Sequence, residues 1–365
     1  MKITAIETIV LRTPYTTGGS TQAEAWGGRA WDTADVLLVR VETDAGITGW
    51  GEAFGYNVIP ATQALIETAL KPVVIGRDAL APEALMLDLQ QKLHIFGRGG
   101  PVIYALSGLD IALWDIVGKA AGLPLHQLLG GTTRDHVTCY ASLIRYGDPD
   151  VVAANVARAV GDGFRAIKLH EITLPAIRAA REAAGPDVRL MLDVNCPWSV
   201  QEAIAIAPAL REVNPFWLEE PVWPPEDNAG IAEVRARAGI PIAAGENVAT
   251  TAQYHQLFNA GAVDIVQPSP AKMGGVTELR KVFALAAAHH VTVVPHSFYD
   301  GPAFLAGLHT SAVFQRESLV EWRYFDLEAP LYGDAGRPVN GRIPLPQAPG
   351  LGLDPDPAVV ARYRA

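Results

Sequence analysis

Three carboxylates, Asp193, Glu219 and Glu246, each stand where a short apolar run ends, in RLMLDVN, FWLEEP and PIAAGEN. Such runs read as buried strands. In a barrel of parallel strands these ends converge on one mouth, and three acids gathered there form an oxygen cage suited to a hard divalent cation. A lone acid at a strand end more often caps the next helix. Here every candidate strand end but the first carries an ionisable or metal-competent group: Lys168 and His170, Asp193 and Asn195, Glu219, Glu246, Ser269, His296 and Glu321. Alternation in AIKLH puts Lys168 and His170 on one side of their strand. A lysine buried near a cation and other bases loses its proton more easily, so Lys168 is a candidate general base or a stabiliser of a carboxylate. His170 is a candidate acid/base or substrate donor. His296 closes VVPHS before the loop FYDGP, a position suited to an acid/base on the face opposite Lys168. Tyr299 in that loop, with Asn195, Ser269, Tyr56 and Trp26, completes the candidate substrate-binding set.

The elements that must position these groups follow from periodicity. From His136 onward, strand and helix patterns alternate: strands begin near 136, 165, 189, 216, 241, 263, 291 and 318, with amphipathic Ala-rich segments such as VVAANVARAVGDG between them. That is the count of a closed α/β barrel. The first third reads differently. KITAIETIVLR and ADVLLVRVETDAGITGWGEA, turning at DAG, predict three antiparallel strands, followed by helices near 59–72, 81–92 and 102–121. The tail from about 330 is rich in Pro and Gly but keeps regularly placed Leu, Ile and Val, and so reads as a strap returning to the first domain. The expected organisation is an α+β capping domain over 1–125, a barrel over 126–329 and a strap over 330–365.

Composition narrows the function classes. The chain has 365 residues, 49% of them hydrophobic, enough for two packed domains. A net charge of −10 without clustered Lys and Arg argues against a nucleic-acid partner. An anionic small substrate stays open, because a bound cation outweighs local acids. Only Cys139 and Cys196 occur, too few for a disulfide framework. The N-terminus alternates like a strand instead of offering a signal peptide, and no apolar run of membrane-spanning length is free of Lys, Arg, His or Pro. The expectation is a cytoplasmic homo-oligomer with no membrane partner that acts on a small carboxylate.

Taken with ALSGLDIALWD at 105–115, LHQLLGG at 125–131, the Lys168/His170 pair, LDVN, LEEP, GEN, QPSPAKMGGVTE at 267–278, PHS and VEW, the chain resembles the enolase superfamily, of the mandelate racemase and muconate lactonizing enzyme type, over nearly its whole length. The resemblance implies a modified (β/α)7β barrel capped by an α+β domain, with one Mg2+ held by Asp193, Glu219 and Glu246. It implies removal of the proton α to a substrate carboxylate to give an enediolate. Racemase-like members usually carry a second Lys where this chain has His170, and an Asp where it has Ser269. That Asp orients and charges the seventh-strand His, so its replacement predicts a His296 of lowered pKa that serves as an acid toward a leaving hydroxyl. Glu321 matches the eighth-strand acid and is expected to donate to the substrate carboxylate when protonated. The first expectation is dehydration of an acid sugar. The alternatives are a racemase, epimerase or cycloisomerase, and, from another class, a catalytically impaired acid-binding protein. The loop 16–31, with Trp26 and Trp31, is expected to close over the mouth.

Overall fold

The computed structural model describes residues 1–19, 32–315, 317 and 319–365. Strands β1 (Ile3–Thr16), β2 (Thr33–Thr43) and β3 (Thr48–Ala53) form an antiparallel sheet in which Val10 faces Leu37 and Leu38 faces Glu52. Both faces of this sheet are covered. Val10, Leu37, Val39 and Val41 pack toward the helix Pro101–Ala121, while Ile9, Leu11, Val36 and Leu38 lie under Leu331, Val359 and Val360 of the tail. The helix Pro101–Ala121 is long and apolar enough to cross a membrane. Most of that stretch, 83%, is instead buried within this fold, so its apolar character is that of a core helix.

Eight parallel strands follow: β4 (His136–Ser142), β5 (Ala166–Leu169), β6 (Arg189–Asp193), β7 (Trp217–Glu219), β8 (Ile242–Ala244), β9 (Ile265–Val266), β10 (Thr292–Val293) and β11 (Leu319–Arg323), each consecutive pair joined through a helix. Their order in the sheet is β10-β9-β8-β7-β6-β5-β4-β11. The sheet curls until its ends meet: β10 and β11 are its two outermost parallel strands, yet the amide of Ser297, just past β10, donates to Glu321 of β11 at 2.8 Å. Helices cover the outside and side chains fill the inside, which is why these strands read as continuous apolar runs. Tyr140, Ala166, Met191, Trp217, Ala243, Ile265, Val294 and Leu319 form the layer that plugs the barrel.

That layer positions the site. A strand's side chains return to the same face every second residue, so Lys168, Asp193, Glu219, His296 and Glu321 each stand two residues beyond a plug residue, one layer nearer the mouth. Glu246 breaks this register. The preceding Gly245 has φ +122°, a conformation open to glycine but strained for other residues, and it re-aims the chain so that residue 246 turns inward.

The tail serves both sheets. Strand β12 (Asp326–Leu327) pairs with β1, β13 (Arg342–Pro344) pairs antiparallel with β4, and the helix Pro357–Tyr363 lies against the outer face of β1, where Ala365 N donates to Val10 O at 2.9 Å.

Candidate active site

Lys168 is the centre of the mouth. Its Nζ lies 3.0 Å from Asp193 Oδ2, 2.9 Å from Glu219 Oε1 and 2.9 Å from Glu321 Oε1, with all four side chains almost wholly buried. Burial alone lowers a lysine's pKa, but three carboxylates override it and hold Lys168 well above its ordinary value. In the protein by itself Lys168 therefore keeps its proton, contrary to the easy loss expected from burial near other groups. Its release requires the carboxylates' charge to be taken up elsewhere.

The acids divide by neighbour. Burial works against ionisation of Asp193, yet Lys168 and His170 keep it well below the usual carboxylate range; Glu219 is pushed well above it by burial and then by the charge on Asp193. Glu246 is lowered in spite of burial, by His296 and Lys272. Glu321 is brought down to about 2, because Lys168, His296 and the Ser297 amide outweigh burial. An ionised Glu321 is an acceptor, which differs from the protonated donor the sequence suggested. The physical reason is its contact with Lys168.

Asp193, Glu219 and Glu246 each bring a carboxylate oxygen within 4.8 Å of the others. Five buried or nearly buried acids crowd Lys168 and Lys272, the same three with Glu220 and Glu321, and carboxylates so close cannot all ionise without a further cation, which is why Glu219 and Glu220 are held above the usual range. An all-oxygen donor set carrying surplus negative charge suits Mg2+ or a similar hard cation.

His170 and His296 flank this cage. His170 Nε2 lies 3.2 Å from Asp193 Oδ2, while its Nδ1 meets the carbonyl of Leu143, which assigns the proton to Nδ1. His296 Nε2 lies 3.1 Å from Glu246 Oε2 and 4.0 Å from Glu321 Oε2. Its Nδ1 is buried with no hydrogen-bond partner among the described residues. Ser269, where the family resemblance leads one to expect a carboxylate, bonds the hydroxyl of Tyr299, whose ring meets His296 edge-on at 5.7 Å. The pKa of His296 is lowered, as the sequence predicted; the largest cause is burial, with Glu246 and Glu321 pulling the other way.

The remaining candidates fall around this core. Asn195, at φ +55°, donates its amide to Asp193 Oδ1 at 3.2 Å and accepts from Arg145 at 3.3 Å, so it organises a metal-cage acid and lies at the mouth. The Tyr56 hydroxyl donates to Phe298 O at 2.7 Å, behind Tyr299. Trp26, Trp31 and residues 20–31 of the expected closing loop lie outside the described residues.

Two residues outside the sequence-predicted set reach the cage, Lys272, which the sequence reading set aside as lying off the family's sixth-strand lysine position, and Trp217. Lys272, on the turn after β9, places Nζ 3.0 Å from Glu246 Oε1, 3.1 Å from Asn247 Oδ1 and 4.5 Å from the ring centre of Phe54. Nothing in local periodicity announces this, since a non-repetitive turn brings it back. Trp217 donates Nε1 to Glu219 Oε2 at 2.9 Å; its place two residues before Glu219 was the available signal.

A parallel α/β barrel with an acid triad, a lysine and a histidine at its carboxyl mouth defines a class of metal-assisted enzyme site. Residues 151–359 match the family model described as Enolase C-terminal domain-like, and residues 23–130 match that of the Mandelate racemase / muconate lactonizing enzyme, N-terminal domain. The chain belongs to this family of the enolase superfamily. It is 35% identical to a D-galactarolactone cycloisomerase of Agrobacterium fabrum, covering 100% of this chain and 99% of the relative. It is 30% identical to an arabinonate dehydratase of Saccharolobus solfataricus, covering 92% of each. Among solved structures, a racemase from Streptomyces coelicolor A3(2) with bound magnesium superposes with a TM-score of 0.87 at 29% identity, covering 100% of both chains.

Proposed function

We propose that the protein is a Mg2+-dependent acid sugar dehydratase that removes the proton α to the substrate carboxylate and expels the β-hydroxyl. The observation that carries this reading is that Lys168 contacts Asp193 and Glu219 of the acid triad while His296 contacts the third acid, Glu246, and has no partner on Nδ1 among the described residues. Asp193, Glu219 and Glu246 would hold the metal, which supplies fixed positive charge for a substrate carboxylate and for the dianion that develops on it.

With the charge of Asp193 and Glu219 taken up by a cation, Lys168 would release its own proton to solvent and, as the neutral amine, accept the α-proton. The carbanion delocalises into an enediolate. As it collapses, the bond from the β-carbon to oxygen breaks, and His296 delivers the proton with which the hydroxyl leaves as water. The enol product tautomerises to a 2-keto-3-deoxy acid. An imidazole with no carboxylate behind it holds its proton weakly, which suits a donor better than a base. Asn195, Tyr56 and Tyr299 line the substrate's side of the mouth, and His170 orients Asp193. The protein works in the cytoplasm as a homo-oligomer on a small carboxylate, with no nucleic-acid or membrane partner.

A cycloisomerase is the second reading, favoured by the Agrobacterium fabrum relative of that name. It uses the same proton abstraction and conserves mass. The test is to incubate the Mg2+-loaded enzyme in deuterated water with a panel of acid sugars and lactones, following exchange by NMR and products by mass spectrometry. Loss of one water supports dehydration, conserved mass supports the isomerase, and no α-exchange with any acid rejects both. His296→Asn separates the steps further: turnover is expected to vanish while α-exchange survives. Loss of both, with fold and metal binding intact, would make His296 the base.

A further inference from the structure

His296 lies at the start of a segment, residues 296–301, that runs from β10 into the helix Pro302–Phe314. The segment has almost no regular structure of its own and is held at separate points. The Ser297 amide donates to Glu321 at 2.8 Å, the Tyr56 hydroxyl donates to Phe298 O at 2.7 Å, Tyr299 bonds Ser269, and Asp300 pairs with Arg323. Its far end is fastened by Glu52. This buried acid of β3, in the antiparallel sheet, accepts the Ala303 amide at 3.0 Å. The helix has Gly301 at its N-cap and no side-chain cap of its own, so a carboxyl oxygen from another sheet supplies the acceptor its first turn lacks. The fit is close: a Cβ at Gly301 would lie 2.7 Å from Glu52 Oε2.

We propose that Glu52 is a positioning residue for the proton-donating half of the reaction: by capping the helix after the 296–301 segment, it fixes where His296 and Tyr299 stand over the cage. This inference rests on the reading of His296 as the acid. Lys168, on β5, touches that segment only at second hand: two of its three carboxylates, Asp193 and Glu219, stand on β6 and β7, and only Glu321 also takes the Ser297 amide. The antiparallel sheet therefore does more than roof the mouth; through Glu52 it sets the geometry chiefly at His296 and Tyr299.

The experiment compares wild type, Glu52→Ala and Glu52→Gln as full-length Mg2+-loaded enzymes on whichever acid sugar of the panel wild type dehydrates. It reads kcat, KM, α-deuterium exchange, Mg2+ affinity and hydrogen exchange at the Ala303 amide. For Glu52→Ala, misplacement of a reacting group by an ångström predicts a kcat lower by about 100-fold. KM, α-exchange and Mg2+ affinity should stay near wild type, and the Ala303 amide should exchange faster. Glu52→Gln should recover most of kcat, because its amide oxygen still accepts from Ala303. An unchanged kcat in Glu52→Ala overturns the proposal, as does a parallel fall in turnover, α-exchange and Mg2+ affinity that Gln fails to rescue. Should Glu52→Ala not fold, Gly301→Ala displaces the carboxylate while leaving it in the chain, and it must show the same split. Absence of exchange in wild type, or normal turnover in His296→Asn, would instead count against the functional reading itself.

Discussion

Lys168 and its three carboxylates balance one another only in part, and each acid is steadied by something else. For Glu219 that support is Trp217, whose indole N–H occupies Oε2 and leaves Oε1 to Lys168. Groups that orient a metal ligand typically change affinity by about 10–100-fold when removed. Trp217→Phe keeps most of the plug's volume and removes the donor, so Mg2+ affinity measured by calorimetry should fall within that range. Unchanged affinity would show that Glu219 needs no such support. Asp193→Asn is the stricter case. It removes the charge shared by Lys168, His170 and the cation, so turnover should be lost while the circular dichroism spectrum and unfolding midpoint stay close to wild type. A variant that still binds the metal through the other two acids and turns over would remove Asp193 from the cage.

The helix Pro101–Ala121 explains much of the motif ALSGLDIALWD. Ser107 accepts the Gly274 amide at 2.8 Å, Asp110 accepts the Thr277 amide at 2.9 Å, and Trp114 donates to Thr277 Oγ1 at 2.9 Å. Asp115 accepts from Trp50 N at 2.9 Å and Leu351 N at 2.8 Å, tying β3 and the tail to the same helix. The polar residues of the motif are thus buried fasteners between the capping layer and the barrel. Such a helix can sit this close to β3 because glycines face it, Gly49 and Gly51: a Cβ at Gly51 would lie 1.8 Å from Gly108 O. Overpacking of this kind costs about 1–3 kcal/mol or more. Gly51→Ala should therefore lower the urea midpoint clearly, and more than Gly46→Ala, where a Cβ meets nothing within 4 Å and only the positive φ of +74° is strained. Equal losses in the two variants would mean that backbone strain, and not the helix contact, sets the cost.

Across the whole molecule, the buried acids between layers make stability depend on pH. Burial lifts the carboxyl of Asp110 to about 7 from an ordinary 3.8, with the Thr277 side chain and amide opposing it. The folded protein therefore binds a proton that the unfolded chain releases, and this contribution weakens as pH rises from about 4 to about 7. A shift of that size corresponds to an upper limit on the order of 4 kcal/mol. Asp110→Asn, a neutral shape-match, should gain on wild type by up to that amount between pH 4 and pH 8 in urea titrations. A constant gap between the two proteins would show that Asp110 is already ionised at low pH, held so by Thr277.

The order of elements and the cage were legible in the sequence because both repeat. Eight apolar runs alternating with amphipathic helices allow few architectures, and two of the three cage acids are placed by strand periodicity alone: Asp193 and Glu219 follow their plug residues by two positions. Glu246 was legible only as an acid after a strand, since the turn that aims it inward depends on Gly245. Which groups touch was a different matter. Lys272 reaches Glu246 through a turn with no period, Trp217 supports Glu219 from within the plug, and Glu52 caps a helix some 250 residues further along the chain. The protonation of Lys168 and Glu321 was likewise out of reach, because it depends on how many charges surround a buried group and at what distance. Periodicity is local and written into the chain; contacts between distant segments, and the charge states they impose, exist only once the barrel has closed.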